Sequence, residues 1–153
     1  MKSNRIMKNI IYIALSAILM VAVYAFENPK VDFKADPKEG VQFQKGTWKE
    51  SLQIAKKKNK LIFLDIYATW CGPCKKLKSY TFSTTEVGNF YNKNFVNVSL
   101  DGEQGDGSVL MQKYRLSSFP SLLFIDGNGK VVMQTSGYYN SNELLELGKQ
   151  ILD

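Results

Sequence analysis

The strongest constraint on this chain is the run Leu61-Ile62-Phe63-Leu64-Asp65-Ile66-Tyr67, which is followed after Ala68-Thr69-Trp70 by a cysteine. The run is near-continuous in apolar strand formers, as expected of a central strand covered on both faces, and Asp65 is the exception inside it. Pro73 is placed to open a helix, because its missing N–H is not needed in a first turn and its φ is already helical. In that helix Leu77 faces inward, and Lys75, Lys76 and Lys78 are expected to face water. A buried strand therefore delivers Cys71 and Cys74 to a helix N-terminus.

Two cysteines at i and i+3 across a helix start lie close enough to close a small disulfide, so the spacing permits reversible oxidation. Cys71 precedes the first turn, where unpaired amides and the positive end of the helix dipole favour thiolate over thiol, and it is the better nucleophile. Cys74 lies one turn inside, should be more buried, and suits attack on a mixed disulfide. A lone CxxC also serves metal half-sites and structural staples. The chain has no histidine and only these two cysteines, which excludes Ser-His-Asp and Cys-His hydrolases and leaves one chain without ligands for an ordinary zinc site. No metal site is expected, and redox chemistry is what remains for the thiols.

Asp65 has two readings from pattern alone. If buried, desolvation raises its pKa and it trades a proton with Cys74; alternatively it is a carboxylate satisfied by local hydrogen bonds or by water at the strand end.

The N-terminus carries Lys2, Arg5 and Lys8 ahead of residues 10–26, where every residue except Ser16 is apolar. This is the layout of a secretory signal, with Val23-Tyr24-Ala25 as a cleavage point, and the alternative is an uncleaved anchor helix. The basic flank favours a cytoplasmic N-terminus, so either outcome places residues 27 onward outside the cytoplasm, in a periplasmic or equivalent compartment. The net charge is +6, and without the three N-terminal cations about +3 remains, too little to argue for nucleic acid. Lys56, Lys57, Lys58 and Lys60 read as a solvated helix end or a docking patch. The expected division is 1–25 signal or anchor, 26–39 a polar linker with Pro29 and Pro37, and 40–153 a single domain.

Within that domain Thr47 and Glu50 form a capping box for a helix over 48–58, with Trp48, Leu52 and Ala55 on one face. Ser83 and Glu86 signal another helix, with Val87, Phe90 and Tyr91 inward, and residues 95–100 a strand. Residues 101–107 read as a mobile loop whose carboxylates do not match calcium-loop spacing, followed by a short helix over 109–114. Residues 121–126 and 131–136 are strands joined by Gly127-Asn128-Gly129, a connection that favours an antiparallel hairpin. Asn140 with Glu143 caps a last helix whose Leu144, Leu147 and Ile151 form a stripe.

At Trp70-Cys71-Gly72-Pro73-Cys74-Lys75 the sequence resembles the thioredoxin active site, and the resemblance runs over residues 40–152. It implies an α/β thioredoxin-like fold, a central mixed β-sheet flanked by helices on both faces, in the order βαβα, an extra helix, βαββα. It implies that Asp65 is the family's buried proton-handling aspartate, that Phe119-Pro120 is the cis-proline loop beside the disulfide, and that Phe119, Pro120 and Gly137 border the substrate groove. Tyr67 stands where many members have tryptophan, and Asn97 where they often have a lysine near the aspartate. Without that lysine Asp65 loses a partner, which should push its pKa further up if the site is dry. Residues 64–83, including Tyr80-Thr81-Phe82-Ser83, resemble exported thioredoxin-like domains that relay electrons from membrane reductases.

The resemblance implies a protein-disulfide reductase whose only redox group is the Cys71–Cys74 pair, with no cofactor. Its partners would be disulfide-bearing proteins and a membrane-embedded reductase as electron donor, with no nucleic acid and no membrane contact beyond the N-terminal segment. The alternatives are a specialised reductant for cytochrome c maturation, a non-catalytic binding module on the same fold, or a metal or iron–sulfur site shared between two chains.

Overall fold

The computed structural model describes the backbone of residues 2–27 and 31–153 and the side chains of residues 7–23 and 31–153. The side chains of Lys2, Arg5, Tyr24 and Ala25, and the whole of residues 28–30 in the expected linker, lie outside the described residues. The chain divides into two units, Met1–Lys30 and Val31–Asp153. The described residues of the first form one helix, α1 (Lys2–Glu27), with Ile10, Ile13, Leu15, Ile18, Leu19 and Val21 exposed. Among the described residues no helix is long and apolar enough to cross a membrane.

In the second unit α2 (Trp48–Lys58) starts at the expected capping box: the Glu50 amide donates to Thr47 Oγ1 at 3.2 Å and the Thr47 amide to Glu50 Oε2 at 2.7 Å. β1 (Ile62–Tyr67) is buried along its whole length. α3 (Gly72–Lys76) runs without a break into a π-helical turn (Leu77–Thr81). There follow α4 (Thr85–Asn94), β2 (Val96–Asp101), α5 (Gly105–Lys113), β3 (Ser121–Ile125), β4 (Val131–Ser136) and α6 (Ser141–Gln150). The sheet order is β2-β1-β3-β4, with β1 parallel to β2 and antiparallel to β3, and β3 antiparallel to β4. This is the mixed central sheet expected from the sequence.

Strand alternation sorts β1 between two cores. Phe63 points into one cluster with Leu77, Phe82, Val87, Tyr91, Phe124 and Leu144. Ile62, Leu64 and Ile66 point into the other with Trp48, Ala55, Val98, Leu110 and Leu123. Asp65 therefore shares the Phe63 face. That face is tied together by aromatic packing, with the Phe63 ring 4.7 Å from Tyr91 and 5.4 Å from Phe124, and by the Tyr91 hydroxyl donating to the Leu144 carbonyl at 2.7 Å.

Four expectations are corrected. The domain does not begin at Gly40: residues 31–39 belong to the second unit, because Phe33 stacks on Tyr67 at 4.1 Å and Asp36 pairs with Lys45 at 2.9 Å. The first strand implied by the resemblance does not form; over residues 40–45 the Val41 amide donates to the Phe82 carbonyl and the Gln44 amide to the Asn97 carbonyl, without a ladder. The helix expected over 109–114 starts earlier, at Gly105, so the loop before it is short; Asp106 accepts the Trp48 amide at 2.7 Å. Lys78 does not face water, because it is 6% exposed.

Candidate active site

β1 ends at Tyr67 and the chain turns through residues 68–70, with the Cys71 amide donating to the Ala68 carbonyl at 3.1 Å. Cys71 has extended backbone (φ −71°, ψ 113°) and caps α3, its Sγ accepting the Cys74 amide at 3.1 Å. The two sulfurs are bonded at 2.10 Å with the Cα atoms 5.3 Å apart. Pro73 opens the helix, as expected. Burial does not separate the cysteines: Cys71 is 3% exposed and Cys74 2%. What distinguishes them is the helix. Cys71 Sγ lies at the unpaired amides, where a thiolate is stabilised, whereas Cys74 is one turn inside.

The disulfide forms one small buried cluster with Tyr67 and Ala68, against which Phe33, stacked on Tyr67, and Phe119 pack. The Phe119–Pro120 peptide is cis. Gly137 donates its amide to the Pro120 carbonyl at 3.0 Å with φ +97°, a conformation that L side chains rarely adopt. Phe119, Pro120 and Gly137 are thus joined in one loop pair, and Phe119 packs on the cluster that holds the cysteines. Trp70 is 66% exposed beside the disulfide, edge-on to Phe119 at 5.8 Å, and its Nε1–H points at both Glu103 carboxylate oxygens at 3.1 Å. A Cβ on Gly72 would meet nothing within 4 Å, so this side of the helix start is open.

Asp65 is buried at 3% exposure, and desolvation pushes its carboxyl up to about 7. The Ser99 hydroxyl donating to Oδ2 at 2.8 Å and the charge of Lys78 both act against that rise. Of the two readings left open by the sequence, the carboxyl is neither solvated nor fully satisfied, since Oδ1 has no hydrogen-bond partner among the described residues. Asn97, which stands at the position of the family's lysine, does not take over that role: its Nδ2 donates to Asn92 Oδ1 at 3.1 Å and to the Gln42 carbonyl. The cation near Asp65 is Lys78, from the π-helical turn.

Sequence reasoning missed Ser99, Lys78, Phe33, Asp36 and Glu103. Two left a signal. Lys78 lies four residues after Cys74 and three before Thr81, the spacing of the buried face, but its charge outweighed its position. Ser99 faces Asp65 once β1 and β2 pair in parallel with this register. Phe33, Asp36 and Glu103 carry no local signal. No group of three His, Cys, Asp or Glu among the described residues could hold a metal ion.

A cysteine pair at disulfide distance on a helix N-terminus fits a redox-active site, and comparison with known proteins leads the same way. Residues 48–152 match the family model of the thioredoxin-like domain. The thiol:disulfide interchange protein DsbD of Tatumella citrea is 28% identical over 137 residues, which is 86% of this chain and 23% of that protein. The chain therefore spans about a quarter of the length of this relative. A Bacteroides thetaiotaomicron protein proposed to be a disulphide isomerase has a solution structure that superposes with a TM-score of 0.67 at 37% identity, covering 78% of this chain and 98% of that one. The oxidised C-terminal domain of Neisseria meningitidis DsbD shares the fold, with a TM-score of 0.58 at 22% identity over 72% of this chain and 97% of that domain. With the matched span, the sheet order and the cysteine geometry in agreement, the chain belongs to the thioredoxin-like domain family.

Proposed function

We propose that this protein is a thiol-disulfide oxidoreductase that reduces protein disulfides outside the cytoplasm by dithiol exchange. The observation that carries this reading is the Cys71–Cys74 disulfide closed across the N-terminus of α3, with Cys71 Sγ at the helix amides. In the reduced protein the Cys71 thiolate attacks a client disulfide, forming one S–S bond to the client and breaking the client's own. Cys74 then attacks Cys71 Sγ. The Cys71–Cys74 bond forms, the bond to the client breaks, and the client leaves with two electrons as a pair of thiolates that take up protons from water. Asp65 takes the proton that Cys74 gives up, and Phe119, Pro120 and Gly137 present the edge along which an extended client lies.

An exported reductant needs an electron source, and the similarity to DsbD supports a membrane-embedded reductase as donor. The first 25 residues are the export segment, cleaved or retained as an anchor, and no cofactor beyond the disulfide takes part. A titration of the Cys71–Cys74 pair against dithiothreitol and glutathione tests the reading. A strongly reducing potential is expected; an oxidising value reverses the direction of transfer, and a bond that does not interconvert removes the function altogether. In Cys74→Ser, mixed disulfides between Cys71 and clients should accumulate.

A further inference from the structure

Lys78 is a buried cation that the exchange steps above do not use. A buried lysine destabilises a fold by several kcal/mol unless opposite charges face it, and an apolar side chain in its place is often the more stable choice. Its Nζ lies over the Phe43 ring, 4.9 Å from the ring centre. The same atom is 3.9 Å from Asp36 Oδ1, which is ion-pair range, and makes no hydrogen bond among the described residues. Asp65 Oδ1 is also buried and also without a partner among the described residues. Two orphaned polar atoms of opposite charge thus lie on β1 and on the π-helical turn that continues α3, and each charge favours the ionised form of the other. The remaining groups acting on Lys78 are Asp32 and Lys45 from residues 31–45, while Tyr67 is the β1 neighbour coupled to Asp65.

We propose that Lys78 is a positioning residue of the redox site, anchored by Asp36 and holding the Asp65 carboxylate available for the proton that Cys74 releases. The proposal rests on the reading that Asp65 moves that proton during disulfide exchange. As Cys74 attacks Cys71 Sγ, its S–H proton passes to Asp65, the Cys71–Cys74 bond forms and the client sulfur leaves with its electron pair. A carboxyl left protonated cannot accept, so the Lys78 charge acting on Asp65 sets the fraction of molecules able to take this step. The segment 31–39 is thereby part of the site, supplying Asp36 to Lys78 and stacking Phe33 on Tyr67 of the cysteine cluster.

The test is a carbon-13 NMR titration of the Asp65 carboxyl in the oxidised full chain, paired with single-turnover reduction of a protein disulfide by the reduced chain. Lys78→Met and Lys78→Gln should each raise the Asp65 midpoint by about one pH unit or more, and Lys78→Arg should restore it. From a midpoint of about 7, a one-unit rise lowers the ionised fraction at pH 7 from about one half to about one tenth, so turnover should slow about fivefold there and recover at higher pH. The two neutral replacements differ in shape and polarity, so either one that folds, judged by near-ultraviolet circular dichroism, reports the result. A midpoint that stays put in a folded neutral variant overturns the proposal, as does a midpoint that moves with no change in rate at pH 7. Failure of the parent reading shows separately, as a turnover rate at pH 7 that Asp65→Asn leaves unchanged.

Discussion

Asp65→Asn should make the protein more stable at pH 8 and not at pH 4. Asp65 ordinarily titrates near 3.8, and burial raises it to about 7. Between those values the native carboxyl keeps its proton while the unfolded chain has lost it. The native advantage is therefore complete below 3.8, declines as pH rises through the window, and levels off above 7. Each unit is about 1.4 kcal/mol, so the decline totals roughly 4 kcal/mol. Asparagine has nothing to ionise and escapes it. The Ser99 hydroxyl can still donate to the amide oxygen, but the new NH2 faces a position with no acceptor, which costs about 1–3 kcal/mol. Lys78 keeps Asp36 as a counter-charge. The Asn variant should accordingly be more stable by about 1–3 kcal/mol at pH 8 and less stable by a similar amount at pH 4. Urea denaturation of both oxidised proteins across pH 4–8 measures the difference. In a unit of this size each kcal/mol moves Tm by roughly 3–4 °C, so thermal melts serve as a second readout. A stability gap that is the same at both ends of the range refutes the reasoning, because it means that Asp65 is ionised in the native state throughout.

Phe63→Ala empties the centre of an aromatic cluster in which Phe63 is fully buried against Phe82, Tyr91 and Phe124, and should cost about 3–5 kcal/mol, read as a lowered urea midpoint. Gly40→Ala puts a Cβ 2.0 Å from the Phe82 carbonyl oxygen and 2.8 Å from Ser83 Cα, both backbone, so residues 40–45 must lift and loosen the Val41 to Phe82 hydrogen bond. A loss of about 1–3 kcal/mol is expected, with faster hydrogen exchange at the Val41 amide; an unchanged amide would show that the segment does not need the close approach.

What the sequence determined about this protein is local chemistry. A strand buried on both faces reads as an unbroken apolar run, a capping box declares a helix start within four residues, and a proline after Cys71 marks where α3 begins; each is a short-range rule, and α2, β1 and the hairpin between β3 and β4 follow from it. The cysteine pair is equally local, since i and i+3 at a helix start are neighbours whatever surrounds them. The cis peptide before Pro120 and the place of Gly137 came only through resemblance, because a single proline or glycine is compatible with many turns. The register of β2 against β1, which sets Ser99 rather than Asn97 on Asp65, depends on pairing between residues 34 apart in the chain. Residues 31–39 look like linker by composition, and only packing stacks Phe33 on Tyr67 of the cysteine cluster and makes Asp36 the anion beside Lys78. Lys78 separates the two levels most clearly. Helical spacing assigns it to the inner face, yet a lysine stays there only if distant carboxylates meet it, and no stretch of neighbouring residues contains that information.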